Sequence, residues 1–244
     1  MSLSIKNKVA LVTGANRGIG KAIVESFLRH GAKKVYLAVR NPASTSEMVK
    51  QFGEKVVTLQ ADLTDAASIK KLAEQAQDVD VVVNNGGVLT TTSPLDENAE
   101  ESLAYEMDIN VYGLLRVAQA FADILEKNQG ALVQLNSIAS LKNFADLTTY
   151  SASKAASYSI TQGLREKLGA KGVAVVSVHP GPIDTDMGAG AGFEDADTPS
   201  SVSEAIVAGL EAGEFHVFPD VMAKQFEGAY QSFAENIILA DFSE

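Results

Sequence analysis

Short apolar runs alternate along the chain with stretches whose apolar positions recur every three to four residues. The runs Lys8–Thr13, Lys34–Val39, Lys55–Gln60, Asp80–Asn84, Ala131–Asn136 and Gly172–Val178 are rich in Val and Leu and nearly continuous in apolarity. That is the pattern of strands buried on both faces. Between and after them, amphipathic stretches near 18–30, 43–52, 65–77, 97–127, 149–169 and 201–212 read as helices. Gly31 stands just past the first of these, and Thr64 or Asp65 stands where the third needs a cap. Phe215–Phe218 is a candidate seventh strand, and 221–240 a candidate helix, packed either on its own core or on another subunit. Such alternation predicts an α/β fold: a doubly wound parallel sheet with helices on both faces, in one domain over 1–244. Met187–Pro199, rich in Gly, Ala and Asp, follows a strand's carboxyl end. It reads either as a lid over the edge where open α/β sheets bind ligands or as a long surface loop.

Composition narrows the class. With 244 residues, 46% hydrophobic and 21% charged, the chain can bury a full core and is not of disordered type. No apolar run approaches the roughly 18 residues of a membrane span, and the apolar stretch after Lys8 is too short for a signal peptide. The absence of cysteine excludes disulfides and thiolate metal centres and makes the cytoplasm the expected compartment. His30, His179 and His216 lack metal-ligand spacing and read as structural, so no metal is expected. Net charge is −11, but residues 1–60 hold ten Lys and Arg against three Asp and Glu, and 61–244 hold ten against 28. No broad basic face for nucleic acid is expected from this balance, whereas a local anion site near the N-terminus is compatible with it.

The first strand runs into Gly14-Ala15-Asn16-Arg17-Gly18-Ile19-Gly20, followed by a helix. Glycines there let the backbone turn tightly and approach a pyrophosphate, and the helix N-terminus offers free N–H groups. A phosphate loop of the Walker kind is excluded, because Ala15 stands where its first glycine belongs and Ala22 where its hydroxyl belongs.

Tyr150 and Lys154 lie four apart in a helical stretch and so share one helix face. An ammonium about 5 Å from the phenol, at an effective dielectric near 20, would stabilise the phenolate by roughly 3 kcal/mol. That predicts a phenol about two units below its ordinary value near 10, fit for general acid–base work. Ser137 precedes the tyrosine by thirteen residues and is placed to hydrogen-bond a substrate oxygen. Taken alone, a Tyr–Lys pair at this spacing is more often the mark of a solvated helix.

Thr13–Gly20, Asn84-Asn85-Gly86-Gly87, Ser137, Tyr150…Lys154 and Pro180-Gly181 occur in this order, and the combination resembles the short-chain dehydrogenase/reductase family from Lys8 to about Val217. The resemblance implies a Rossmann-like seven-stranded parallel sheet and hydride transfer between a nicotinamide cofactor and a carbonyl or alcohol. It implies Tyr150 as proton donor or acceptor, and Lys154 as holder of the nicotinamide ribose. Ser137 would orient the substrate, and Asn110 would hold a relay water at an irregularity of the 97–127 helix. For the cofactor it implies Gly14, Asn16, Arg17, Gly18, Ile19 and Gly20, then Asp62 and Leu63, then Asn85, Gly86 and Gly87. Pro180, Gly181, Ile183 and Thr185 complete that set beside the nicotinamide. Asp62 is read both as the adenine ligand and as a cap near Thr64. Gly86 departs from the family's usual alanine.

The second strand ends Ala38-Val39-Arg40, with no acid to take a ribose 2′-hydroxyl, and Arg17 lies in the glycine turn. Two guanidiniums suit a 2′-phosphate, so NADP(H) is the expected cofactor. The expected function is an NADPH-dependent carbonyl reductase. Its alternatives are a 3-oxoacyl thioester reductase and a non-catalytic NADP-binding sensor or scaffold. Beyond Asp184, Lys224 is the one Lys or Arg, which disfavours an acidic carrier. Leu89, Ala139, Phe144, Leu147, Met187 and Phe193 are pocket candidates for an apolar ketone or aldehyde, in a substrate loop near 186–200. Small-molecule substrates are the expected partners, without nucleic acid or membrane. A homodimer or homotetramer is implied by the resemblance.

Overall fold

The computed structural model describes residues 1–192 and 195–240. Seven strands form one parallel sheet: β1 Val9–Thr13, β2 Lys34–Val39, β3 Val56–Gln60, β4 Val81–Asn84, β5 Ala131–Leu135, β6 Ala174–Val178 and β7 His216–Val217. Their spatial order is β3-β2-β1-β4-β5-β6-β7. Each run expected from apolar continuity is a strand: Lys34–Val39 is unchanged, and the others lose at most two residues at an end. Gly172 leaves the sixth run because its φ of +80° makes it a left-handed turn. The sheet centre carries the core: Leu11, Val82 and Leu132 are aligned in register across β1, β4 and β5, and each is wholly buried. Each such side chain contributes roughly 1.5–3 kcal/mol through removal from water.

Nine α-helices cover the faces among the described residues: α1 Gly18–Arg29, α2 Ser46–Phe52, α3 Ala66–Gln75, α4 Ala99–Glu106, α5 Gly113–Asn128, α6 Thr148–Gly169, α7 Asp186–Gly190, α8 Pro199–Ala212 and α9 Val221–Phe233. Asp65, not Thr64, caps α3, its side chain accepting from Ala67 N–H at 2.9 Å. The expected helix 97–127 is divided: a π-helical turn, Met107–Tyr112, separates α4 from α5. The second expected helix starts late because Pro42 and Asn41 open a 3-10 turn over Pro42–Thr45.

The chain leaves β1 toward β2 on one side and later returns to β4 on the other. The carboxyl ends of β1 and β4 therefore diverge into a crevice, the usual ligand edge of such sheets. The stretch after β6 contains the unexpected short helix α7, and its ends are zipped together. Asp184 N–H donates to Asp197 O at 2.8 Å, and Asp197 N–H to Pro182 O at 3.1 Å. No helix among the described residues is long and apolar enough to cross a membrane.

Candidate active site

A cleft of about 740 Å³ opens at the carboxyl edge of the sheet. Its outer half is built from the glycine turn after β1. Gly14 and Gly18 adopt φ of +64° and +51°, and a Cβ on Gly20 would collide with the Gly14 carbonyl. Glycines at these positions leave the backbone open to close approach by a ligand. Thr13, outside the expected site residues, fixes the next wall. Its Oγ1 accepts from Asn85 N–H at 3.0 Å and Gly86 N–H at 2.9 Å, while Asn85 Nδ2 donates to Thr13 O at 2.9 Å. A threonine closing a strand beside an Asn-Asn-Gly turn was the signal available for it. A methyl on Gly86 would stand 2.8 Å from Leu63 Cδ1. Leu63 thus fills the space an alanine would take, which accounts for the glycine.

Gly14, Asn16, Arg17, Gly18, Ile19, Gly20, Arg40, Asp62, Leu63, Asn85, Gly86 and Gly87 all line this cleft. Asp62 spends one carboxylate oxygen on Thr64 N–H and Oγ1 at 2.9 and 2.8 Å, which holds it below the usual carboxylate range. Arg17 lies across the cleft mouth, paired with Asp186 of α7 at 2.9 Å, both side chains mostly exposed. The glycine turn and the loop after β6 are thereby joined by a solvated pair.

The inner half gathers Ser137, Tyr150, Lys154, Pro180, Gly181, Ile183 and Thr185. Ser137 follows β5 and caps a 3-10 turn, its Oγ accepting from Ala139 N–H at 3.1 Å and donating to Pro180 O at 3.3 Å. The Ser137 carbonyl is held from behind by buried His179. His179 Nδ1 lies 3.2 Å from it and 2.9 Å from Ser140 Oγ, and Nε2 lies 2.8 Å from Ser177 Oγ. These partners are met if Nδ1 carries the proton. Burial drives His179 down to about 3, so at neutral pH it is an uncharged imidazole that braces Ser137 from behind. Asp220 positions Gly181 by accepting its N–H at 2.7 Å while capping α9 through Ala223 N–H at 2.9 Å. Thr185 uses its hydroxyl to cap α7, accepting from Gly188 N–H at 3.1 Å.

Tyr150 lies in the first turn of α6, and Lys154 follows one turn on. Lys154 Nζ lies 5.7 Å from the centre of the phenol ring and donates to Leu135 O at 2.7 Å. The expected downward shift of the phenol is reversed. Burial pushes Tyr150 up to about 12, against a downward pull from Ser137, and the Glu106 charge raises it further. Burial also draws Lys154 down to about 8, with Glu106 opposing it. The helix spacing was right, but it carries no information about desolvation, and desolvation is the larger effect here.

Asn110 does not line the cleft. It sits in the π-helical turn, 2% exposed, behind the loop after β4. Its Oδ1 accepts from Val88 N–H at 2.9 Å, and its Nδ2 donates to Val88 O and Ser153 Oγ, each at 2.9 Å. The helix irregularity expected at this asparagine is present. Glu106, one turn earlier and wholly buried, was not anticipated. Leu89, Ala139, Phe144, Leu147 and Met187 wall the inner cleft. Phe193 lies outside the described residues.

Comparison with known proteins gives a consistent result. The family model described as short chain dehydrogenase matches residues 8–194. An oxidoreductase of Staphylococcus aureus (strain USA300) is 34% identical over 214 residues, spanning 84% of this chain and 92% of the relative. One from Staphylococcus epidermidis is 32% identical over 213 residues, with the same coverage. A short chain dehydrogenase from Burkholderia cenocepacia J2315, solved in complex with NADP, superposes with a TM-score of 0.88 at 32% identity, covering 98% of this chain and 100% of that one.

Proposed function

This chain belongs to the short-chain dehydrogenase family of oxidoreductases, and on that premise we propose that it reduces a small apolar carbonyl compound with NADPH. The observation that carries the reading is the meeting of Ser137, Tyr150 and Lys154 at the inner end of a glycine-lined cleft.

The residues present fit a nicotinamide dinucleotide. Gly14, Gly18 and Gly20 leave a cradle that any Cβ would strain or fill, at the positive end of α1. Arg17 and Arg40 suit a ribose 2′-phosphate, and Lys154 keeps donors beyond its bond to Leu135 for the inner ribose. The NADP in the Burkholderia structure supports that choice. When bound, the cofactor supplies the hydride.

The protein's own part concerns the carbonyl oxygen. Ser137 Oγ and the Tyr150 hydroxyl converge on that oxygen and orient it. Tyr150, held near 12, is fully protonated at neutral pH and is ready to give its proton to the oxygen as alkoxide character develops. An alkoxide is far more basic than a phenolate, so this transfer runs downhill. In the opposite direction the same phenol must first ionise, at a cost of about 7 kcal/mol at pH 7, so alcohol oxidation rises with pH. Leu89, Ala139, Phe144, Leu147 and Met187 exclude water from the reacting centre and select an apolar substrate. A 3-oxoacyl carrier is disfavoured by the scarcity of cations from Asp184 onward.

The test is NADPH and NADH oxidation against a panel of apolar ketones and aldehydes, with Tyr150→Phe in parallel. Turnover with NADPH that collapses in Tyr150→Phe is expected. Tight NADPH binding without turnover of any carbonyl would replace this reading with that of a cofactor sensor.

A further inference from the structure

Glu106 closes α4 and is completely buried. Its Oε1 accepts from Thr90 N–H and Thr90 Oγ1, both at 2.7 Å. Its Oε2 has no hydrogen-bond partner among the described residues. A buried carboxylate with one oxygen unmatched is costly unless an opposite charge offsets it. The packing points to the source of that charge. Thr90 Oγ1 lies 3.5 Å from Thr149 Oγ1, next in sequence to Tyr150, and α4 packs against α6. Lys154, 5% exposed, borders the same space: a methyl on Gly87 would stand 3.1 Å from Asn110 Oδ1, one turn after Glu106, and 3.7 Å from Lys154 Nζ, which donates to the neutral Leu135 carbonyl. Lys154 and Glu106 are thus both buried beside this turn, and neither has a hydrogen-bonded ionic partner among the described residues.

We propose that Glu106 is the fixed counter-charge of Lys154, a positioning residue that keeps the lysine an ammonium while the Tyr150–Lys154 pair works. The proposal rests on the preceding reading of that pair. Glu106 touches no substrate and acts through the lysine. Burial lowers Lys154 to about 8, and the Glu106 charge is the effect that opposes the loss. The other groups facing this region leave it that task. Tyr150 is a neutral phenol, and His179, at the end of β6, is a neutral imidazole. The π-helical turn presents uncharged Asn110, and Asp108 of that turn is paired with Arg116 at 2.8 Å. Without Glu106 the sign is fixed: Lys154 loses its proton at lower pH, and a neutral amine holds an anionic cofactor less well.

The experiment is an NMR titration of the cofactor-free protein labelled with [13Cε]lysine, the Lys154 signal being assigned by its loss in Lys154→Arg. In the native protein it titrates near pH 8. In Glu106→Gln, which keeps the acceptor for Thr90 and removes the charge, the midpoint moves about one pH unit lower. An unchanged midpoint overturns the proposal. Glu106→Asp, which keeps the charge, retains the native midpoint more closely than Glu106→Gln, and a merely structural role would give no such order. Should Glu106→Gln fail to fold, Glu106→Met, close in shape and uncharged, is titrated instead: a lowered Lys154 midpoint is expected, and an unchanged one overturns the idea. The underlying reading fails separately, if Tyr150→Phe keeps full activity.

Discussion

Replacing Arg40 by Asp tests the proposed preference for a cofactor with a 2′-phosphate. Arg40 follows β2 directly, at the point where a 2′-phosphate and a 2′-hydroxyl call for opposite charges. It lines the cleft as an exposed residue, so its bond to phosphate belongs at the low end of the charge-assisted range, about 1.5–2 kcal/mol. The new carboxylate adds repulsion against a dianion, about 1 kcal/mol at this solvated edge. NADPH is then held about 100-fold more weakly, with Arg17 the remaining cation of the turn. NADH has no phosphate to lose, and the carboxylate can accept its 2′-hydroxyl, so its affinity changes by less than about threefold. Fluorescence titration of both cofactors gives the two dissociation constants, and the NADPH loss shrinks as salt is raised. Equal loss of both cofactors refutes the reasoning. Arg17 adds a second expectation. Its pair with Asp186 is mostly exposed, so exchanging that partner for phosphate costs little, and Asp186→Asn tightens NADPH by no more than about fivefold.

Two other consequences follow from burial. His179 and His216 are depressed to about 3 and about 4, chiefly by desolvation. The unfolded chain takes up their protons below about pH 6.5 and the folded chain does not, so stability is full above that pH and drains as pH falls. By pH 5 the two together cost about 4 kcal/mol, readable as a shift in urea unfolding between pH 7 and 5, and a change under about 1 kcal/mol contradicts it. At Gly86, an added methyl meets Leu63, so Gly86→Ala and Leu63→Ala are coupled by about 0.5–1 kcal/mol in a double-mutant cycle. Strict additivity would show that Leu63 is not what the glycine accommodates.

The sheet is legible because most of its strands are buried on both faces and nearly continuous in apolarity, so that their runs need at most two residues of trimming at an end. Site positions were legible where the backbone itself demands a residue, as at Gly14, Gly18 and Gly20, or where helix spacing aligns two side chains, as at Tyr150 and Lys154. Environment was not legible. Spacing gives a distance between phenol and ammonium but not the dielectric around them, and the direction expected for Tyr150 was reversed by burial. Glu106 was missed for a related reason: in α4 it follows Glu100 and Glu101 and reads as a solvated helix acid until packing buries it. Arg17 offers only its charge in the sequence, because its partner Asp186 lies in a segment far along the chain.

Deuteride transfer from 4-deuterated NADPH to a reducible apolar ketone, followed in single turnovers, bears most directly on the account. With both C4 hydrogens of the cofactor replaced by deuterium, the expected result is deuterium on the carbinol carbon of the product alcohol, with transfer slowed about 100- to 10,000-fold in Tyr150→Phe. An undiminished rate in Tyr150→Phe, or an alcohol without the label, would contradict it.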